Sequence, residues 1–330
     1  MSIVAAPVAI RAARVLFAMI FSGVLSGLAS AQAYPIKPIR LITSGAGGAS
    51  DIRARWLAER LRPALGQPII VDNRGGAGGI IGMETAAKSA ADGYTVALVH
   101  QGNMIIAPYI HARLGYDPIA DFAPVTRLSM NPFLLAANPQ VPADSVADLL
   151  RYARGNPGRL SYGSPGNGSP PHLAAELFKS MAKIDAVHVP YKGGQAALMD
   201  LIGGRVAYTF ENLALQWPQV KAGKIKAVAI TSARRLASLP DVPTVAESGL
   251  PGYEYWSWMG ISVPARTPSA IVFRLNNAIA KVLKTTEAHE WFATQGAEPG
   301  GESPEEFAAF IKAERAKLGP VIRKAGLKPD

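Results

Sequence analysis

Short apolar runs alternate with helical segments along most of this chain, and glycine or proline marks most of the changes. Residues 39–43 form one apolar run, and residues 69–71 form the next. Between them, residues 51–65 have helical periodicity, with apolar side chains on one face: Ile52, Trp56, Leu57, Leu61 and Leu65. Alternation of this kind predicts a mostly parallel sheet covered by helices. The chain is therefore predicted to belong to the α/β class.

The alternation occurs in two series, which suggests two units. An extended segment at residues 132–137 separates the series, and another at 260–263 precedes a helical tail. The tail holds too few strand signals for a third domain, so we expect it to return and cover the first unit. Two crossings of this kind predict a hinged pair of lobes. The expected first lobe comprises residues 34–132 and 262–330, and the expected second lobe comprises residues 133–261.

The N-terminal segment has the pattern of an export signal. Arg11 and Arg14 form a basic region without nearby acids, and residues 15–29 are apolar. Ala31-Gln32-Ala33 then has the small-x-small pattern of a cleavage site. The alternatives are a buried helix or an uncleaved anchor, although the run is short for a membrane span. We expect a signal peptide over residues 1–33, cleaved after Ala33, and a periplasmic mature protein.

Composition narrows the classes of function. The chain has no cysteine, which excludes disulfides, thiolate metal sites and a cysteine nucleophile. Its net charge is +10, and removal of the two arginines in the N-terminal segment leaves +8. Most of these charges fit a solvated surface, while the net balance favours attraction of anions. Because the basic residues are scattered among acids rather than clustered with aromatics, we predict no nucleic-acid partner.

The first glycine-rich loop, Gly45-Ala46-Gly47-Gly48-Ala49-Ser50, follows a predicted strand and precedes a predicted helix. It nearly matches the dinucleotide fingerprint G-x-G-x-x-G, and Asp72 follows at about the distance of a ribose-binding acid. Ser50, however, occupies the last glycine position. The alternative is a smaller anion bound by backbone N–H groups at the helix start and by the Ser50 hydroxyl. A plain turn is the third possibility.

Two further loops also join a predicted strand to a predicted helix. Residues 161–172, SYGSPGNGSPPH, carry glycines and hydroxyl groups, and His172 lies at the start of the helix. Residues 188–194, HVPYKGG, would place the Tyr191 phenol and the Lys192 ammonium at the carboxyl end of a strand, where open α/β sheets bind ligands. An ordinary turn with a solvated Lys192 is an equal alternative.

The sequence contains no recognisable catalytic pattern. No G-x-S-x-G pentapeptide surrounds Ser164 or Ser169. The five histidines do not follow the spacing of a metal site, and no pair of carboxylates is placed for acid–base work. These observations favour binding over chemistry, and we predict neither a cofactor nor a metal.

At this point the sequence resembles a known family. It is similar to the periplasmic solute-binding receptors of tripartite tricarboxylate transporters, also called Bug-type receptors, over essentially the whole mature chain. Several motifs in the family's order and spacing carry the resemblance: GGASDIRAR, VDNRGGAGGIIG, ADGYT, SYGSPGNGSPPHLAAELF, HVPYKGG and LPDVPTVAESGLPGYE. The family implies two α/β lobes that close on a small organic acid, in the manner of a flytrap.

The resemblance also implies which residues contact the ligand. Relatives hold a carboxylate with the first two glycine-rich loops, and His172 stands behind them. Carried over here, these residues are Gly47, Gly48, Ala49, Ser50, Ser164, Gly166, Gly168, Ser169 and His172. Relatives often carry an aspartate near Glu211, beside Asn212, so these two residues are expected to face the distal end of the ligand. A second departure is Ala46, where the family often has proline.

The favoured hypothesis is a monomeric receptor that captures a small carboxylate and passes it to the membrane subunits of a tripartite tricarboxylate-type transporter. An NAD-dependent oxidoreductase using Gly45 to Ser50 is one alternative. A sensor that reports the bound ligand to a membrane kinase is another. The sequence leaves the ligand open among dicarboxylates, tricarboxylates, acidic amino acids and aromatic acids.

Overall fold

Two separate β-sheets organise the part of the chain that the computed structural model describes, namely residues 34–46, 49–75 and 79–326. The expected signal peptide lies outside these residues. The strands, in chain order, are β1 (Ile39–Thr43), β2 (Ile69–Asn73), β3 (Thr95–His100), β4 (Phe122–Asn131), β5 (Phe133–Ala137), β6 (Ser161–Ser164), β7 (Val187–Pro190), β8 (Tyr208–Asn212), β9 (Lys226–Ile230), β10 (Ser257–Pro264) and β11 (Glu298–Pro299).

Helices cover both sheets, which confirms the predicted α/β class. They are α1 (Ala49–Leu65), α2 (Ile80–Ala87), α3 (Ala107–Ile110), α4 (Val146–Gly155), α5 (Pro170–Ala182), α6 (Gly194–Ile202), α7 (Leu213–Lys221), α8 (Ser269–Leu283), α9 (Thr286–Thr294) and α10 (Pro304–Ala325). A π-helical turn, Gly102–Ile106, joins β3 to α3.

The first sheet has the strand order β11-β4-β10-β3-β1-β2. Strand β1 is parallel to β2 and β3, whereas β10 runs antiparallel to β3 and β4. One face packs against α1, α8 and α9, and the other against α2 and α10. The parallel arrangement brings the carboxyl ends of β1, β2 and β3 to one edge of the sheet.

The second sheet has the order β7-β6-β8-β5-β9. Strand β6 is parallel to β7 and β8, and β5 runs antiparallel to its two neighbours, β8 and β9. The carboxyl ends of β6, β7 and β8 therefore also meet at one edge. That edge carries the second and third loops of the sequence analysis.

The chain passes between the sheets at Pro132, because β4 ends at Asn131 and β5 begins at Phe133. It returns after β9, and β10 belongs to the first sheet from Ser257 onward. The lobe boundaries stated above stay a prediction, and the position 261/262 falls inside β10. The C-terminal helix α10 packs on β4 and also touches α5 of the second unit.

Helix α1 departs from its predicted face in one respect. Trp56, Leu57, Leu61 and Leu65 are buried as expected, but Ile52 is 46% exposed and Arg53 is only 6% exposed. The prediction for Ile52 was therefore wrong. The buried face is turned by one residue at the start of the helix, and this brings a cationic side chain inside the protein.

Candidate ligand site

Three loops of the first sheet meet at the carboxyl ends of its parallel strands. After β1, the Ser44 hydroxyl lies 3.3 Å from that of Ser50 in the first turn of α1. Ala49 is exposed and Ser50 is half-buried beside it. Gly47 and Gly48 lie outside the described residues, so the predicted donors there stay a prediction.

Gly79 allows the three loops to approach one another closely, and no larger residue would fit at this position. Its φ is +94°, and an added Cβ would lie 2.7 Å from Cβ of Ser44 and 3.3 Å from Nε2 of His100. The loops after β1 and β2 and the end of β3 therefore touch one another. A glycine is required both by the left-handed backbone and by this close approach.

His100 is a residue of this edge that the sequence analysis did not select. Its backbone N–H donates to Oδ1 of Asn103 over 2.8 Å, and the Asn103 N–H donates to Nδ1 of His100 over 3.3 Å. Burial lowers the pKa of His100 to about 4, so the ring is neutral at pH 7. Because Nδ1 accepts a hydrogen bond, the proton is placed on Nε2, which faces Gly79.

The second loop is tied internally by its own polar groups. The Ser164 hydroxyl is buried, donates to the Gly166 carbonyl, accepts from the Gly166 N–H and lies 2.7 Å from Nε2 of His188. Ser169 caps α5 by accepting from the His172 N–H and donates to the Gly166 carbonyl. These hydroxyls shape the loop before any ligand arrives.

His172 lies behind this loop. Its Nδ1 accepts the Gly168 N–H over 3.1 Å, and its ring stacks on His188 with centroids 3.7 Å apart. Burial, followed by the nearby His188 and Lys179, lowers the pKa of His172 to about 3. A neutral ring is what permits Nδ1 to accept the hydrogen bond that holds Gly168 in position.

The third loop is fastened to the second by backbone hydrogen bonds. The Tyr191 N–H donates to the Ser164 carbonyl, and the Gly193 N–H donates to the Pro165 carbonyl. The Tyr191 phenol donates to Asp200 over 2.8 Å, while Lys192 is exposed. Burial and the hydrogen bond to Asp200 raise the pKa of Tyr191 to about 12.

Glu211 is the last residue but one of β8 and is 4% exposed. Its Oε1 accepts from the Asn212 backbone over 2.7 Å and from the Asn212 amide over 2.6 Å. Its Oε2 is buried without a hydrogen-bond partner and lies against Gly194 at the start of α6. Burial raises the pKa of Glu211 to about 7, and Asn212 beside it is exposed.

A cavity of about 370 Å³ lies between elements of the two sheets. The second loop lines one wall with residues 165–170, which include the predicted Gly166, Gly168 and Ser169. The other wall is mainly apolar and includes Ile80, Ile106 and Ile110, together with His100. The other predicted residues that the structure describes do not line this cavity: Ala49, Ser50, Ser164, His172, Tyr191, Lys192, Glu211 and Asn212.

The dinucleotide alternative receives less support from the geometry. Asp72, the expected ribose-binding acid, accepts a hydrogen bond from Nε of Arg74 over 3.0 Å and lies 3.8 Å from Arg40. Its carboxylate is thus engaged within the protein.

Within the described ranges, no cluster of three or more histidine, aspartate or glutamate side chains could hold a metal ion. No helix there is long and apolar enough to cross a membrane.

Comparison with known proteins gives consistent matches over most of the chain. A family model described as "Tripartite tricarboxylate transporter family receptor" matches residues 53–327. Protein BugT of Bordetella pertussis is 36% identical over 301 residues, covering 91% of this chain and 92% of BugT.

Two solved structures extend the comparison to the fold. Rpa4515 of R. palustris, solved with adipate, is 39% identical with a TM-score of 0.80, covering 90% of this chain and all of that one. MatC of Rhodopseudomonas palustris, solved with bound malate, is 31% identical with a TM-score of 0.74, covering 88% of this chain and all of that one.

Proposed function

Because this chain belongs to the receptor family of tripartite tricarboxylate transporters, we propose that it captures a small organic acid between its two lobes and delivers it to membrane subunits of such a transporter. It then acts as a receptor rather than as an enzyme. A similar protein of this fold is the periplasmic binding protein BugD, which is 32% identical with a TM-score of 0.74. Together with the export pattern of residues 1–33, this supports cleavage after Ala33 and release into the periplasm.

The observation that carries the proposal is the meeting of strand ends from both sheets around a cavity between them. The first sheet offers His100 at the end of β3, and the second offers the Gly166–Ser169 turn. The start of α1, with Ala49 and Ser50, follows β1 at the same edge of the first sheet but does not line the cavity. Backbone N–H groups at such ends suit a carboxylate. The isoleucines of the opposite wall suit the hydrocarbon part of an organic acid. Ligand contacts from both sides would favour a closed arrangement of the lobes.

Adipate in Rpa4515 and malate in MatC support a carboxylate as the ligand class here. Under this proposal, Gly47, Gly48, Ala49 and Ser50 hold one carboxylate together with the second loop. His172 fixes Gly168, and Tyr191 and Lys192 border the entrance. Glu211 and Asn212 contribute to recognition farther from that carboxylate.

The test is a thermal-shift screen on protein that has been unfolded and refolded to remove carried-over ligand. The panel holds adipate, malate, citrate, glutamate, benzoate and NAD. A ligand present at 100 times its dissociation constant stabilises by about 2.7 kcal/mol, which shifts the midpoint by several degrees. We expect a shift with at least one carboxylate. A shift with NAD alone would contradict the proposal.

A matched pair of variants links the binding to the site. Ser50→Ala should lower the affinity for the carboxylate identified in the screen about three- to tenfold, which is the usual effect of one lost hydrogen bond. Ser238→Ala removes a hydroxyl from an exposed loop and should leave the affinity unchanged. Equal affinities of both variants and the parent protein would remove the first loop from the proposed site.

A further inference from the structure

Arg53 is a buried cation at the place where the chain passes between the sheets. It lies in the second turn of α1 and is 6% exposed. One terminal nitrogen, NH2, donates to Oδ1 of Asn131 over 2.8 Å. The other, NH1, lies 3.5 Å from Sδ of Met259. Asn131 ends β4 one residue before the crossing at Pro132, and Met259 belongs to β10 beside His100.

The charge of Arg53 has no anionic partner among the described residues. Within the described ranges, no ion pair within 4.0 Å involves its guanidinium, and both groups that it touches are neutral. Its Nε is buried without a hydrogen-bond partner. Burial lowers the pKa of Arg53 to about 10, so the group is still cationic at pH 7. A buried charge without a counter-ion destabilises the protein that contains it.

The helix places this charge close to the first loop. Ser50 and Arg53 are three residues apart, so they lie on the same side of α1, about 4.5 Å apart along its axis. An extended side chain from Arg53 reaches the edge of the sheet at Asn131. The start of α1 and the guanidinium are thus two positive features on the same side of one helix.

We propose that Arg53 is the counter-ion for the second carboxylate of a dicarboxylate ligand. This inference rests on the proposed function, in which the loop at the start of α1 holds the first carboxylate. The incoming carboxylate takes the place of Asn131 as the hydrogen-bond partner of the guanidinium, whose planar fork can bind both carboxylate oxygens. The consequence is a preference for diacids over monoacids of equal length.

The competing explanation is structural. Arg53 could tie α1 to the crossing strands through Asn131 and serve no ligand. The two explanations differ in what removal of the charge does to the protein without ligand. A structural tie predicts that its loss destabilises the protein. An uncompensated charge predicts that an apolar replacement is neutral or stabilising.

The test uses calorimetric titration with succinate, glutarate and adipate, each paired with the monoacid of equal carbon number: butyrate, pentanoate and hexanoate. We expect the best diacid to bind at least about tenfold more tightly than its monoacid, because only the diacid has a second carboxylate that can form charged hydrogen bonds with Arg53. Arg53→Met should reduce that ratio to about one and change monoacid affinity less than threefold. Arg62→Met, an exposed arginine on the same helix, is the control and should keep the ratio.

Thermal unfolding of the ligand-free variants completes the test. Arg53→Met should melt at or above the temperature of the parent protein. A lower midpoint, failure to fold or an unchanged diacid preference would overturn the inference. Arg53→Lys, which keeps the charge but lacks the fork, should keep part of the diacid preference, and complete loss in that variant would also count against it.

The two proposals fail separately. If the parent protein binds diacids and monoacids equally well, the role of Arg53 is refuted and carboxylate capture stands. If none of the carboxylates in either panel binds, the proposed function itself fails.

Discussion

At the scale of single residues, Glu211 shows most clearly that a side chain expected to be charged and exposed can be buried in the folded protein. A glutamate at the end of a strand would ordinarily face water, yet this one is buried with Oε2 unpaired. Two hydrogen bonds from Asn212 favour the ionised form, but desolvation outweighs them and raises the pKa from 4.5 to about 7. The group is therefore partly protonated near neutral pH.

This shift predicts a stability that falls as the pH rises. Between pH 4.5 and about 7 the folded protein binds more protons at Glu211 than the unfolded chain does, so its free energy of unfolding decreases with increasing pH. Glu211→Gln should remove this dependence. At pH 8 it should be more stable than the parent protein by up to about 3 kcal/mol, whereas the two should be similar at pH 4.

Urea unfolding at pH 4, 6 and 8 measures this difference. Glu290→Gln, an exposed glutamate in α9, serves as the control and should follow the parent protein at each pH. Equal pH dependence of Glu211→Gln and the parent protein would show that the carboxyl group is solvated.

At the scale of elements, the start of the long C-terminal helix follows from its local sequence, whereas the longest strand does not. Ser303 and Glu306, at the start of α10, form a reciprocal capping box with bonds of 2.8 and 3.2 Å. In β4, by contrast, Pro124 and Arg127 interrupt the apolar pattern. Arg127 pairs with Glu302 at 3.1 Å, and its guanidinium lies over the ring of Phe310. Both partners are distant in sequence.

The capping box gives a prediction for this element. Ser303→Ala removes the acceptor for the Glu306 N–H and should lower the free energy of unfolding by about 1 kcal/mol. Ser238→Ala, outside any helix, should stay within about 0.5 kcal/mol of the parent protein. Chemical denaturation measures both. Equal stability of the two variants would mean that the first turn of α10 contributes little.

At the scale of the whole molecule, a buried hydrogen-bond network joins the first sheet to α10 and to the segment before β10. The Tyr255 phenol donates to Oε1 of Gln101 over 2.6 Å. Nε2 of Gln101 donates to the Trp256 carbonyl and to Oε2 of Glu314. Tyr253, Tyr255 and Trp258 are themselves buried. Packing in the protein core therefore accounts for these three aromatic residues.

Gln101→Leu should therefore be costly. It leaves the Tyr255 phenol and one oxygen of Glu314 without this partner in a buried setting, so we expect a loss of about 2–4 kcal/mol. Gln195→Leu, at an exposed position of α6, is the matched control. A thermal midpoint equal to that of the control would show that the network is not coupled to folding.

What the sequence by itself determined is local: the α/β alternation, the loops that follow parallel strands, and the caps. Those features depend on residues a few positions apart, and strand ends such as Thr43 and Ser164 must carry their loops to a sheet edge. Only the tertiary structure decided which polar and charged side chains are buried away from water. Arg53, His100 and Glu211 look like ordinary polar residues in the chain, and their altered pKa values arise because distant segments enclose them.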